Sequence, residues 1–383
     1  MRFLSTVLFS LGSVAAIAQP CQPLQEFDEI MSVVTERFFD QTFNGLNWSD
    51  RVKVHRSEID CTDDAQGVAR IVNALLTELN ASHTALYTAY DMHYWGLNAL
   101  FSFDNSDAYA MDFSGIWPEQ YDRTWYVKHV FEESPADQAG VLRGDELISI
   151  DGTPFIPVGF RGNAATLSVS SDGRTTRDVE IETLRQTVMR GFVDASRAST
   201  KVLPVDDKRV GYFHLWTARD AILESMNDAL AEFEAMQVDA IILDYRGGYG
   251  GTSEDYLASI KGSLFLSEVQ KYFLIDDSVR SGKEMLAGIV KRDGLGTLVG
   301  STTAGYFLGA SPFRFFDDKY FLLLAIGSGT IPTIPGVGQI EGIGIEPHVS
   351  VEPCRMHCAG RDPQFERALE LIRANAQRRS NQH

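Results

Sequence analysis

Tyr272-Phe273-Leu274-Ile275-Asp276-Asp277-Ser278-Val279-Arg280-Ser281-Gly282-Lys283-Glu284-Met285-Leu286 changes its period half-way along. Its opening is a branched and aromatic run of the kind that fills a buried strand. After Ser281, apolar residues fall at Met285, Leu286, Ile289 and Val290, which is helical spacing. Ser281 is therefore predicted in a strand-to-helix turn with its hydroxyl at a helix N-terminus. Unpaired N–H groups and the positive end of the helix dipole gather there. This stretch alone leaves two uses of the position open. Ser281-x-x-Glu284 is a capping box, and the same geometry suits a nucleophile whose product is an oxyanion.

Working outward, the same alternation continues on both sides. Val210 to Leu215 reads as a strand and Ala221 to Phe233 as a helix. Val238 to Leu243 is a buried strand running into Asp244-Tyr245-Arg246-Gly247-Gly248-Tyr249-Gly250-Gly251. Thr297 to Gly300 is a short strand, a hairpin-like region surrounds Tyr320 to Ile326, and Gln364 to Ala376 closes the chain as a helix. Strands alternating with helices predict an α/β domain over 186–383. Upstream the pattern differs. Residues 24 to 86 carry two helical stripes, the second at Val68, Ile71, Val72, Leu75, Leu76 and Leu79. From 88 to 185 short strands and turns dominate, among them the Asp151-Gly152 turn after Glu146 to Ile150. The expected organisation is multidomain and mixed α+β and α/β: a helical region over 19–87, a β-rich domain over 88–185 and the α/β domain.

Residues 1–18 read as a secretory signal, with Arg2 ahead of an apolar run and Ala16-Ile17-Ala18 as the cleavage pattern. The run is too short to span a bilayer, so an exported chain, periplasmic or extracellular, is expected. Export favours disulfides among Cys21, Cys61, Cys354 and Cys358. Closing Cys354-x-x-x-Cys358 locally leaves Cys21 with Cys61; metal binding beside His357 is the alternative. The formal charge of -18 argues against nucleic acid and anionic membranes as partners.

Taken in order, the motifs resemble the carboxyl-terminal-processing (tail-specific) serine peptidases, in their tricorn-like branch. The carriers are Phe38-Phe39-Asp40 with Phe43 to Trp48, then Leu79-Asn80-Ala81-Ser82-His83-Thr84, then Ser134-Pro135-Ala136 with Gly144-Asp145. The Asp244 to Gly251 loop follows, departing from the family pattern at Gly248. Ser281-Gly282-Lys283-Glu284, Gly300 to Gly305 and Ile340 to Pro347 complete the set. The resemblance implies a PDZ-like module over 88–185 and a crotonase-like (ClpP-related) catalytic domain. The Ser-Lys branch places a lysine after the glycine turn, but here Gly305 precedes Tyr306. A phenol with an ordinary pKa of about 10 is a poor base. The tricorn-like set has counterparts instead in Ser82, His83, Ser281 and Glu341.

On that resemblance Ser281 is the nucleophile and His83 the general base, its unperturbed pKa of about 6.5 suiting proton transfer near neutrality. Ser82 touches His83, and Glu341 contacts Ser82. The oxyanion donors are the N–H of Gly282 and that of Gly250 or Gly251, where a missing side chain admits a substrate. Gly115 and Ile116 would capture a substrate carboxylate in the PDZ-like module. No metal or organic cofactor is implied, and the expected partner is a protein or peptide substrate. A ligand-binding protein on the same scaffold is the alternative, against which the retention of Ser281, His83 and Glu341 argues.

Overall fold

The computed structural model describes residues 20–102, 107–251 and 254–380; the signal expected over 1–18 lies outside the described residues. Its centre is a six-stranded sheet in the order Lys201–Val205, Lys208–His214, Ala240–Asp244, Gln270–Ile275, Thr297–Gly300 and Val349–Ser350. The first pair is antiparallel and the rest are parallel, with Leu243 opposite Phe273 and Phe273 opposite Leu298. Parallel strands are covered on both faces, so their residues are apolar throughout rather than alternating. Ile241, Leu243, Phe273 and Leu298 face one core together with the helices Asp220–Ala235 and Gly282–Arg292. Ala240, Ile242, Tyr272 and Leu274 face Ala368 and Ile372 of the closing helix Pro363–Ser380. The turns that follow the carboxyl ends of the parallel strands, 245–251, 276–281 and 301–305, are where open α/β sheets place their ligands.

An antiparallel sheet occupies the middle of the chain, in the order Ile116–Tyr121, Thr124–Val130, Glu146–Ile150, Ala164–Ser170 and Arg177–Glu182. It has its own core, with Ile116, Val127, Leu147, Leu167, Val169 and Ile181 buried together. Strand Ile116–Tyr121 ends the sheet order, which leaves one of its edges unpaired among the described residues. The segment from 88 is not strand from its start. Met92–Leu100 is a helix, and its Met92, Tyr94 and Leu97 join the core of the parallel sheet. Its apolar residues match no two-residue period, and tertiary burial decides its state.

The N-terminal helices Gln22–Arg37, Trp48–Arg56 and Ala65–Glu78 bury their stripes against residues far along the chain. Phe27, Val34, Val72 and Leu75 share a core with Leu308, Tyr320, Leu322 and Leu324. Strand Ala85–Tyr87 pairs with Tyr320–Ala325, itself hairpinned to Ala310–Phe315. That pairing carries residues 82 and 83 across to the parallel sheet's active end.

Cys21 is bonded to Cys61, and Cys354 to Cys358, with Cα separations of 5.7 and 5.8 Å. The second bridge closes a loop whose His357 N–H donates to the Gly144 carbonyl, docking this segment on the antiparallel sheet. Alkylation without reduction is expected to modify no cysteine; recovery of four labelled thiols would contradict the pairing. Among the described residues no helix is long and apolar enough to cross a membrane.

Candidate active site

Ser281 is the N-cap of the helix Gly282–Arg292, as its sequence context predicts. Its backbone takes φ 55° and ψ -128°, a conformation costly for a residue with a Cβ. Two contacts hold it there: its N–H donates to the Tyr306 carbonyl at 2.8 Å and to Glu284 Oε2 at 3.2 Å. Glu284 is fully buried and also accepts from Thr303 Oγ1 and from the N–H groups of Gly305 and Tyr306. Burial raises the Glu284 pKa against these lowering hydrogen bonds. The glutamate read as a capping partner thus joins the Ser281 turn to the 303–306 turn.

The glycine loop lies directly against Ser281. A Cβ on Gly250 would stand 2.6 Å from the Ser281 Cβ and 2.8 Å from the Gly282 nitrogen. Arg246 anchors this loop: it is buried and donates to Asp244 at 2.9 Å through Nε, and to Asp362 at 2.7 and 2.8 Å. Gly248, the departure from the family pattern, has φ 59°, and a Cβ there would collide with the Trp216 carbonyl. Lys283 completes the anchoring. Its fully buried ammonium donates to the carbonyls of Leu215 (3.3 Å), Trp216 (3.2 Å) and Gly247. Burial pushes its pKa down to about 7, with Asp244 and Asp276 opposing. Lys283 does not line the cavity in front of Ser281, and its bonds go to the carbonyls that shape the loop.

Across the cavity stands His83, carried by the turn before strand Ala85–Tyr87. Its Nδ1 lies 2.8 Å from the Leu308 carbonyl. A carbonyl only accepts, so Nδ1 bears the proton and Nε2 presents a lone pair. Ser82 Oγ is 3.4 Å from the same Nδ1 and donates to Glu341 Oε2 at 2.8 Å. Glu341 is buried and further accepts from the N–H groups of Ser82 (2.9 Å), Phe307 (2.7 Å) and Leu308 (3.0 Å). It therefore fixes both Ser82 and the segment that carries the Leu308 carbonyl.

Burial, and then the Arg280 guanidinium, push the His83 pKa down to about 4, against the Leu308 hydrogen bond and the Glu341 charge. The sequence-based expectation of about 6.5 is corrected downward by these two effects. A base must be unprotonated to act, so activity falls only as pH drops through its pKa. The acid limb of kcat/KM, which reports the free enzyme, is expected near pH 4. Arg280→Gln should move it upward, because the guanidinium disfavours the imidazolium. A limb at or above about pH 6.5 in the unaltered protein would contradict this environment.

Ser82, His83, Gly250, Gly251 and Ser281 line one cavity of about 370 Å³, with Leu97, Leu100, Phe101 and Leu323 as an apolar wall. Glu341 and Gly282 stand behind its surface. Gly115 and Ile116 are not brought to it. They begin the edge strand of the antiparallel sheet, with the Gly115 carbonyl accepting from Phe131 and Ile116 buried. Sequence reading missed Arg280 and the Leu308 carbonyl, and it gave Lys283, quoted in the motif after Ser281, no supporting role. Of the two missed, only Arg280 had a signal, its place beside Ser281.

Comparisons with known proteins place the chain among peptidases. The model of peptidase family S41 matches residues 261–351, a stretch that contains Ser281 and Glu341. The chain is similar to serine peptidases of family S41. It is 25% identical over 362 residues to the chloroplastic carboxyl-terminal-processing peptidase 3 of Arabidopsis thaliana, covering 84% of this chain and 67% of that one. It is 26% identical over 283 residues to the tricorn protease of Thermoplasma volcanium, covering 61% of this chain and 25% of that protein. The chain thus spans two thirds of the first relative and a quarter of the second. A solved photosystem II D1 C-terminal processing protease shares the fold, with TM-score 0.53, 17% identity and coverage of 87% and 94%.

Proposed function

We propose that this peptidase is exported and cleaves protein or peptide substrates through an acyl-enzyme on Ser281. Ser281 Oγ attacks the peptide carbonyl carbon while His83 Nε2 takes its proton and returns it to the leaving amine. Water then repeats the sequence to release the acid. The N–H of Gly282 and that of Gly250 or Gly251 receive the oxyanion. Ser82 and Glu341 hold His83 through Nδ1 and the Leu308 segment, the set of the tricorn-like branch. Residues 88–185 act as a PDZ-like module that recognises the substrate, with Gly115 and Ile116 at its carboxylate loop, and 186–383 form the crotonase-like catalytic domain.

One observation carries this reading: a strained helix-N-terminal Ser281, a glycine loop in contact with it and a His83 of fixed tautomer face a single cavity. A fluorophosphonate should label Ser281 stoichiometrically, as located by mass spectrometry, and block peptide hydrolysis. Hydrolysis that survives complete labelling, or no labelling of a folded active protein, would rule the mechanism out.

A further inference from the structure

Arg280 is half-buried one residue before the nucleophile, and its charge is unanswered. Its Nε donates to the Ser278 carbonyl at 3.2 Å, and its guanidinium carbon lies 5.6 Å from the centre of the Tyr306 ring. Among the described residues, no carboxylate lies within 4.0 Å of it. A guanidinium has five donors in a planar fork shaped for a carboxylate, and a partly desolvated cation without a counter-charge is costly. Acidic residues are plentiful in this chain, 52 against 34 basic ones, yet none of the residues lining the 370 Å³ cavity is acidic.

The position of Arg280 suits a passing peptide. It lines the catalytic cavity and also a second one of about 270 Å³, formed with Trp117, Pro118, Glu119 and Gln120 of the unpaired edge strand. Lys128 is the other cation of that second cavity, and it is already paired with Glu119 at 2.7 Å and Asp277 at 3.0 Å. An extended chain advances about 3.3 Å per residue, so a guanidinium one residue from Ser281 meets substrate close to the bond under attack.

We propose that Arg280 is a specificity residue that binds a peptide carboxylate carried within about two residues of the scissile bond, as a bidentate or single charge-assisted pair. The proposal rests on Ser281 being the nucleophile. The carboxylate is an Asp or Glu side chain or the substrate's own C-terminus. The low basicity of His83 is consistent with an uncompensated cation at this place, since Arg280 is the larger of the two charges acting on the imidazole.

The test uses the full chain and a synthetic peptide mixture of randomised sequence, made once with free and once with amidated C-termini. Cleavage products are read by mass spectrometry, and kcat/KM is then measured on matched Glu/Gln and acid/amide pairs. A preference of about tenfold to a hundredfold for the carboxylate member is expected, the size of one charge-assisted hydrogen-bonded pair. Enrichment of Asp or Glu in both mixtures identifies the side chain as the source. Preference confined to the free-acid mixture, at a constant distance from the end, identifies the terminus. Arg280→Gln should collapse the ratio to near unity, Arg280→Lys should keep part of it because the charge stays and the fork is lost, and Arg280→Glu should favour Lys or Arg at the same place. Fluorophosphonate labelling of Ser281 in each variant reports an intact site. Equal cleavage of matched pairs by unlabelled wild type whose Ser281 labels in a parallel sample, or a ratio unchanged by Arg280→Gln, overturns the proposal and leaves the nucleophile standing. Peptide cleavage by a protein whose Ser281 never labels overturns both.

Discussion

Ser281→Ala is expected to abolish peptide hydrolysis while the protein remains folded. The covalent route is lost with the hydroxyl, whereas loss of an N-cap costs only about 1 kcal/mol. Ser281→Gly separates the two roles more sharply. At φ 55° and ψ -128° the native serine is strained, and glycine relieves about 1–3 kcal/mol of such strain at a capping cost of a few tenths. The glycine variant should therefore be inactive and at least as stable as the wild type in thermal unfolding. Hydrolysis by either folded variant would remove Ser281 from the mechanism. A glycine variant that unfolds well below the wild type would instead assign the hydroxyl to capping.

His83→Ala should lower kcat/KM by about 10²-fold or more, the usual size of a lost general base, with little change in unfolding temperature. Lys283→Met provides the contrast. Lys283 is buried beside the nucleophile, as a lysine base would be, but its ammonium is committed to the carbonyls of Leu215, Trp216 and Gly247. Removing it takes that donor from all three carbonyls, of which Trp216 keeps the Tyr249 N–H, so stability should fall by about 1–3 kcal/mol, with activity lost through the glycine loop. Should His83→Ala stay fully active while Lys283→Met is folded, stable and dead, the assignment of the base reverses. Tyr306→Phe is expected to cleave normally, because Tyr306 serves Ser281 through its backbone carbonyl.

Much of this site was legible before any coordinates, for local reasons. The change of period at Ser281 is a property of neighbouring residues, and the strand Gln270–Ile275 and helix Gly282–Arg292 lie where that change predicts them. Gly250 and Gly251 stand out because only glycine lets backbone approach backbone so closely. Helix Met92–Leu100 was illegible because its apolar residues serve a core assembled from the parallel sheet, and no window of local sequence contains that sheet.

The basicity of His83 was illegible for the same kind of reason. An imidazole's pKa depends on what desolvates it and on charges that approach it from elsewhere, here Arg280 and Glu341, some 200 and 260 residues along the chain. The amino-acid sequence by itself determined the turn that presents Ser281, the glycine loop that faces it and the pairing-competent cysteines, because each depends on short-range backbone geometry or on residue chemistry. Only the tertiary structure decided that His83 keeps its proton on Nδ1, that Lys283 is bonded to the carbonyls of Leu215, Trp216 and Gly247, and that Arg280 faces the cavity with no counter-charge among the described residues. Those are outcomes of burial and of distances between elements far apart in the chain.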